Sequence, residues 1–402
     1  MKKQLAGILA LAMALSMSAC SSTDSGEAAD ATTTTAAAAE DETTAKADED
    51  SAEEETTTEA ETEPPAPAVE YVEPVAEDFE YEYDAAIGGA KITKYKGEAE
   101  AIIIPAELDG DPVKRVVIND NSTITHVEIP DGIELINFNG GKNLSEVKIP
   151  DSVTSISMGS CTSLIEITIP DNVTYIYFGG CENLKDITIP NSVTAIYEQA
   201  FNNCKSLTSL TIPDSVLEIG QRAFYKSGLI EISFPDNGAA IYDGAFMECE
   251  NLETVTIPDS ITFLHTIING TPEENLMYEV FKNCKNLKEI TIPSTVIYIN
   301  NTTFSGCESL TSVIIPDSVI GIYDAAFSDC TNLTSITIPE SVTEIGHDVL
   351  NGCKKLRSLT LPDSMEYLSP TAFYDCDGLT VTYKGQEYNH TNFDDLYALL
   401  PW

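Results

Sequence analysis

Nine cysteines stand at one repeated position: Cys161, Cys181, Cys204, Cys249, Cys284, Cys307, Cys330, Cys353 and Cys376. Each lies three residues before a leucine that opens an apolar run, as Cys204 lies before Leu207. Thiols in such a column can cross-link, ligate zinc or stay reduced. Zinc fits poorly, because no C-x-x-C occurs and no histidine accompanies the column. Cross-linking fits poorly too. Side chains stacked in one column point in parallel, which is the wrong geometry for a disulfide, and nine is an odd number. The spacing suits a reduced ladder, in which Cys is a small buried residue whose weak donor faces backbone carbonyls. Gly141 and Ser227 hold the same place in two further turns.

Other chemistry is sparse. Four histidines, His126, His265, His347 and His390, are scattered over the chain. His265 with Glu273 and Glu274 can be drawn as a site, but three solvated loop residues explain it as well. Asp131, Asp151, Asp171, Asp214, Asp236, Asp259, Asp317 and Asp363 each follow a proline. That column could bind calcium, yet a position just after proline is where a turn takes its capping side chain. G-x-S-x-G, H-E-x-x-H and glycine-rich phosphate loops are absent from the sequence. The expectation is a non-catalytic protein with no metal and no cofactor.

The elements that carry these columns are repeats. Prolines closing an I-x-I-P type of run fall at Pro105, Pro130, Pro150, Pro170, Pro190, Pro213, Pro235, Pro258, Pro293, Pro316, Pro339 and Pro362. The intervals are 25, 20, 20, 20, 23, 22, 23, 35, 23, 23 and 23 residues. In "LTSITIP", Leu333 to Pro339, apolar residues alternate with polar ones, as in a strand buried on one face. Proline ends the strand because it cannot donate to a ladder. "P-D-S-V" reads as a turn in which Asp or Ser accepts a backbone N–H. "A-F-x-x-C" then returns the chain. One such turn cannot bury its own apolar side, whereas stacked turns make a continuous core. The expected fold is therefore a β-rich solenoid, a right-handed coil with a parallel sheet on its inner wall. Twelve strands at ~4.8 Å would give a sheet ~55 Å long.

The early 20-residue turns lack "AF", and Met158 and Phe178 stand where its Phe would be. The long interval carries about twelve extra residues between Phe263 and Phe281, where an excursion would project outward. The whole pattern resembles the BspA-type, or Treponema-type, bacterial leucine-rich repeat. The resemblance covers the solenoid at 102–379. It implies an N-terminal cap at 79–101 and a C-terminal cap at 380–402. In the latter, "NFDDLYALL" should form a short helix with Asn392 or Asp394 as its N-cap.

The start of the chain is of another kind. A basic Met1-Lys2-Lys3-Gln4, an apolar run from Leu5 to Met17 and "LSMSAC" resemble a bacterial lipoprotein signal peptide at 1–19, with lipid attached to Cys20. An ordinary secretory signal cut near Ala19 is the other reading, and would release the protein. Residues 20–78 are rich in Thr, Ala, Glu and Pro. From Ser21 to Glu80 there are 20 acidic residues and one lysine, so this stretch holds 19 of the chain's 44 net negative charges. Such composition cannot offset the entropy of ordering, and a disordered tether is expected.

A net charge of −44 repels nucleic-acid phosphates and anionic lipid, so neither is a direct partner; membrane contact would come through the lipid anchor alone. Thr168, Thr188, Thr211, Ser233, Thr256, Thr291, Thr337 and Thr360 form an outward polar column on the strands. Tyr175, Tyr177, Tyr197, Tyr242 and Tyr323 lie near the turn after the sheet and are candidate partner contacts. The resemblance implies a cell-surface protein, lipid-anchored on the outer face of a bacterial membrane, that adheres to host, matrix or other cell-surface proteins. The alternative is an envelope component that binds wall glycan or acts as a rigid spacer.

Overall fold

A computed structural model describes residues 69–266, 272–274 and 276–400. Every described residue belongs to one compact unit, Pro67–Trp402. The signal segment, Cys20 and the linker up to residue 68 lie outside the described residues. Among the described residues, no helix is long and apolar enough to cross a membrane.

The repeats build a β-solenoid, and each coil gives two short parallel strands. The first sheet takes the strand that ends at proline, as in Ser209–Thr211, Glu231–Ser233, Thr254–Thr256 and Glu289–Thr291. Leu210, Ile232, Val255 and Ile290 stand side by side in register, so one apolar residue per strand enters the core. The second sheet lies after the P-D-S-V turn and is the part that the sequence pattern does not announce. Leu135–Asn137, Ser155–Ser157 and Tyr175–Tyr177 pair in register through Ile136, Ile156 and Ile176. These strands are two or three residues long and carry a single core residue, too little for an alternating pattern to stand out. Both sheets are interrupted along the coil.

The turns are held by bonds between coils. Inside the P-D-S-V turn, the Val216 N–H donates to the Pro213 carbonyl at 3.0 Å. The serine hydroxyls donate outward to the preceding coil: Ser215 to Val193 O at 2.8 Å, Ser341 to Val319 O at 2.7 Å, and Ser192 to Val173 O. This corrects the sequence reading, in which Asp or Ser accepts a local N–H. Asp259 Oδ1 does accept one, but from Ser294 of the following coil, at 2.7 Å. These side chains lock register between coils instead of closing their own turn.

The A-F-x-x-C return needs a left-handed backbone at the residue before the thiol position. Asn203, Lys226, Glu248, Asn283 and Asp329 have φ between 56° and 58°, and Gly180, Gly306 and Gly352 fill the same place elsewhere. The phenylalanines form a continuous stack. Phe178, Phe201, Phe224, Phe246, Phe281, Phe304 and Phe327 follow one another with ring centroids 5.2–6.0 Å apart and nearly parallel planes. Phe138 and Met158 are buried at the equivalent place in the short turns.

Both ends are closed. Phe79–Asp84 pairs antiparallel with Gly89–Tyr95, which pairs in parallel with Asp111–Val117 and so starts the second sheet. At the other end Thr380–Tyr383 continues the first sheet and turns back through Gln386–Tyr388. The helix Phe393–Leu399 covers the last layer with Leu396, which is buried. Asn392 stands at its N-cap but makes no capping bond; its Oδ1 accepts the Asn389 N–H at 2.8 Å. Residues 69–78, placed in the linker by composition, lie against the first coil: the Val72 N–H donates to Ala101 O at 3.0 Å, and Ile103 N–H donates to Val72 O at 2.9 Å. The long interval forms a hairpin, Thr262–Thr266 with Pro272–Glu274, which sets His265 opposite Glu273.

Candidate interaction surface

The thiol column is structural. All nine repeat cysteines are free and buried. Each donates to the carbonyl of the stacked residue one coil earlier: Cys249 to Phe224 O at 3.0 Å, Cys284 to Phe246 O at 3.2 Å, Cys330 to Phe304 O at 3.2 Å. The same carbonyl also accepts the N–H of its own coil's cysteine, as Phe246 O does from Cys249 at 3.2 Å. Two donors thus satisfy one buried carbonyl. Ser227 continues the ladder, with its hydroxyl 3.2 Å from Cys249 Sγ. Burial pushes the Cys249 thiol up to about 12 and the Cys376 thiol up to about 11. It also raises Cys284 and Cys330. A thiol held neutral is a poor nucleophile and a poor metal ligand.

The histidines stay apart from that column. His347 Nδ1 lies 2.8 Å from the Ser369 hydroxyl, a pairing that could suggest a nucleophile and its base. Ser369 is fully buried, and Thr371 shares the same ring nitrogen at 3.4 Å, so the contact packs two coils together. His126 bonds Thr125 at 2.9 Å and sits near Glu146. Among the described residues, no group of His, Cys, Asp and Glu could hold a metal ion.

The outward faces remain. On the first sheet, two acidic side chains pair with lysines across coils. Lys148 reaches Glu128 at 3.2 Å, and Lys288 reaches Glu253 at 2.6 Å. The five candidate tyrosines are elsewhere, on the second sheet. Tyr175, Tyr177 and Tyr242 are strand residues, and Tyr197 and Tyr323 directly follow their strands. All five are half-buried and form two groups, not one row. Tyr175 and Tyr197 meet with ring centroids 5.3 Å apart. Tyr177 lies over Gly159, where a Cβ would come within 2.5 Å of its ring. Tyr323 meets Tyr298 at 5.5 Å, a partner that sequence reasoning missed. Gly321 makes room for both rings, since a Cβ there would sit 3.2 Å from each. Tyr298 sits two places earlier in its coil than Tyr323, as Tyr175 does relative to Tyr197; aligning the strand positions by coil would have found it.

Two carboxylates stand among these rings. Glu344 Oε2 accepts the Tyr323 hydroxyl at 2.8 Å. Glu218 is half-buried and flanked by Tyr197 and Tyr242, whose hydroxyl pKa values its charge helps to raise after burial itself. Burial raises the Glu218 carboxyl as well.

The profile of the BspA-type leucine-rich-repeat region matches residues 117–177, 158–268 and 274–392, in six copies. A leucine-rich cell surface protein from Faecalibacterium prausnitzii A2-165 is similar in structure, with 28% identity and a TM-score of 0.52, over 79% of this chain and 95% of that one. The pneumococcal vaccine antigen PcpA shares the fold at 14% identity and a TM-score of 0.50, over 80% of this chain and 94% of that one. No curated protein matches the sequence. The matched segments span well over half of the chain, and the protein belongs to the BspA-type leucine-rich-repeat family.

Proposed function

We propose that the protein is a non-catalytic binding protein of the bacterial cell surface, which holds a protein partner on the outer face of its second sheet. The observation that carries this reading is the pair of half-buried aromatic contacts, Tyr175 with Tyr197 and Tyr298 with Tyr323, on the second sheet. Half-buried tyrosines offer large, rigid contact area at small entropic cost. Exposed aliphatic neighbours extend each patch: Leu217 is 53% exposed and Ile320 is 39% exposed. In this reading Cys20 carries the lipid, residues 20–68 are the tether, and the solenoid stands off the membrane to meet host, matrix or neighbouring-cell proteins. Kinship with surface-displayed repeat proteins supports the location.

The test is adhesion of the full-length protein to intact host cells and matrix proteins, set against binding to isolated peptidoglycan. Replacing Tyr197 and Tyr298 by leucine should abolish adhesion, while shortening the hairpin between Thr266 and Pro272 should leave it intact. Adhesion that survives the tyrosine changes, or binding confined to peptidoglycan, refutes the reading.

A further inference from the structure

We propose that the tyrosine-bearing face takes a lysine- and arginine-rich segment of its protein partner. The inference rests on the proposed function and specifies the chemistry of that same face. Three observations carry it. First, the charge of the face is uncompensated. Among the described residues, no strand of the second sheet after Arg115 contains a lysine or arginine. On the first sheet Lys148 and Lys288 pair with Glu128 and Glu253; on the second, Glu218 and Glu344 form no ion pair with a described residue. Second, each carboxylate is framed by rings. Tyr298, Gly321, Glu344 and Tyr367 are register partners from coil to coil, and the Tyr323 hydroxyl points at Glu344. Glu218 is in register with Ala195 and Ala240, two residues before Tyr197 and Tyr242, and its carboxylate makes no hydrogen bond or ion pair with any described residue. Third, an exposed aliphatic chain adjoins each frame, Leu217 beside Glu218 and Ile320 beside Gly321.

A basic side chain satisfies all three features at once. Its charged head meets a carboxylate that is partly withdrawn from water, where pairing is stronger than at an exposed site. The same head lies over tyrosine faces, which attract cations. Its methylene stem covers the exposed Leu217 or Ile320. An acidic partner is repelled: residues 81–402 carry 45 acidic against 18 basic side chains. A neutral glycan could stack on the rings but would leave Glu218 uncompensated. The two frames are five coils apart, about 25 Å at a strand spacing of ~4.8 Å. An extended segment of about eight residues spans that distance.

The experiment measures binding of a ten-residue alternating lysine–arginine peptide to the full-length protein by fluorescence anisotropy at low and high salt. The changes Glu218→Gln and Glu344→Gln together should weaken binding about tenfold or more, and Tyr197→Leu with Tyr298→Leu about fivefold. The control changes Glu166→Gln and Glu231→Gln, on the first sheet, should alter it less than about twofold, since long-range attraction alone is screened by salt. Equal losses in control and test variants would show diffuse attraction to an acidic protein and overturn the proposal. So would a peptide that does not bind, or a soluble peptidoglycan fragment that binds through the tyrosines regardless of salt and of both glutamates. If the peptide fails while the tyrosine variants still lose cell adhesion, only the basic segment is refuted. If the tyrosine variants adhere like the parent protein, the surface itself is wrong.

Discussion

Phe304→Ala tests whether each rung is shielded only by its neighbours. Phe304 is fully buried, with its ring 5.9 Å from Phe281 and 5.2 Å from Phe327. Its carbonyl accepts the Cys307 N–H at 3.1 Å and the Cys330 thiol at 3.2 Å. Truncating a buried phenylalanine costs ~3–5 kcal/mol, including the cavity left behind. In a solenoid that cost falls on one coil and its two contacts. Local opening there should become ~100-fold or more frequent, at tenfold for each ~1.4 kcal/mol. The repeat thiols report on it directly, because burial keeps them from alkylation until a coil opens. The assay is iodoacetamide labelling of the full-length protein at pH 8, read at each cysteine by peptide mass spectrometry. Labelling of Cys307 and Cys330 should accelerate about 100-fold, and that of Cys161 and Cys181 less than about threefold. Phe304→Leu should show roughly a tenth of the effect, since Leu350 fills the same stack position without a ring. Equal acceleration at all nine thiols would refute nearest-neighbour shielding.

Two further outcomes follow from the backbone and the thiols. Thr302 is a β-branched residue held at φ 54°, a region that costs an L-residue ~1–2 kcal/mol, so Thr302→Gly should stabilise the protein by about 1 kcal/mol and raise the melting temperature; a lower melting temperature contradicts the strain. Free thiols ionise near ~8.5, whereas the folded protein holds Cys376 up to about 11 and Cys249 up to about 12. The unfolded chain therefore loses protons first. Stability is complete below pH ~8.5 and falls as pH rises towards those folded values, by up to ~1.4 kcal/mol per pH unit for each such thiol. Denaturant melts at pH 8 and pH 10 measure the fall, and Cys249→Ser should lessen it.

The coil was legible in the sequence because its core columns repeat: Leu207, Leu210, Phe201 and Cys204 recur at fixed offsets, and each such column is buried. The cysteine ladder was legible for the same reason, down to carbonyls as the acceptors. What escaped the sequence depends on neighbours outside the repeat. The second sheet offers one isoleucine per strand, such as Ile156 or Ile176, and only the adjoining coil turns it into a sheet. For that reason the tyrosines read as lying near a turn, whereas Tyr175, Tyr177 and Tyr242 are strand residues of the second sheet and Tyr197 and Tyr323 directly follow its strands. The serine after proline fits a local turn by type, but its hydroxyl crosses to the previous coil, as in Ser341 to Val319. Tyr71 and Val72 sit in polar, acidic surroundings that read as linker. Yet Tyr71 packs against His126 at 6.5 Å and takes Lys148 over its ring at 4.2 Å. Two residues suffice to dock a segment, and two residues leave no compositional trace.

The two outward faces differ in what they can encode. Along the first sheet one column repeats Thr or Ser from Thr168 through Thr188, Thr211, Ser233, Thr256 and Thr291, so each coil presents nearly the same contact as the next. A uniform column favours strand formation but gives a partner no register to recognise. The second sheet presents Tyr175, Ala195, Glu218, Ala240 and then Tyr298, Gly321, Glu344, Tyr367, a different residue at almost every coil. Gly321 matters there because it lets large rings lie flat across a neighbouring coil. The buried columns are fixed by stacking and the threonine column by sheet propensity, whereas the second sheet's outward positions are free of both constraints. Recognition of one partner over another has to be written where the scaffold does not dictate the residue, and the proposed contacts beside Glu218 and Glu344 use such positions.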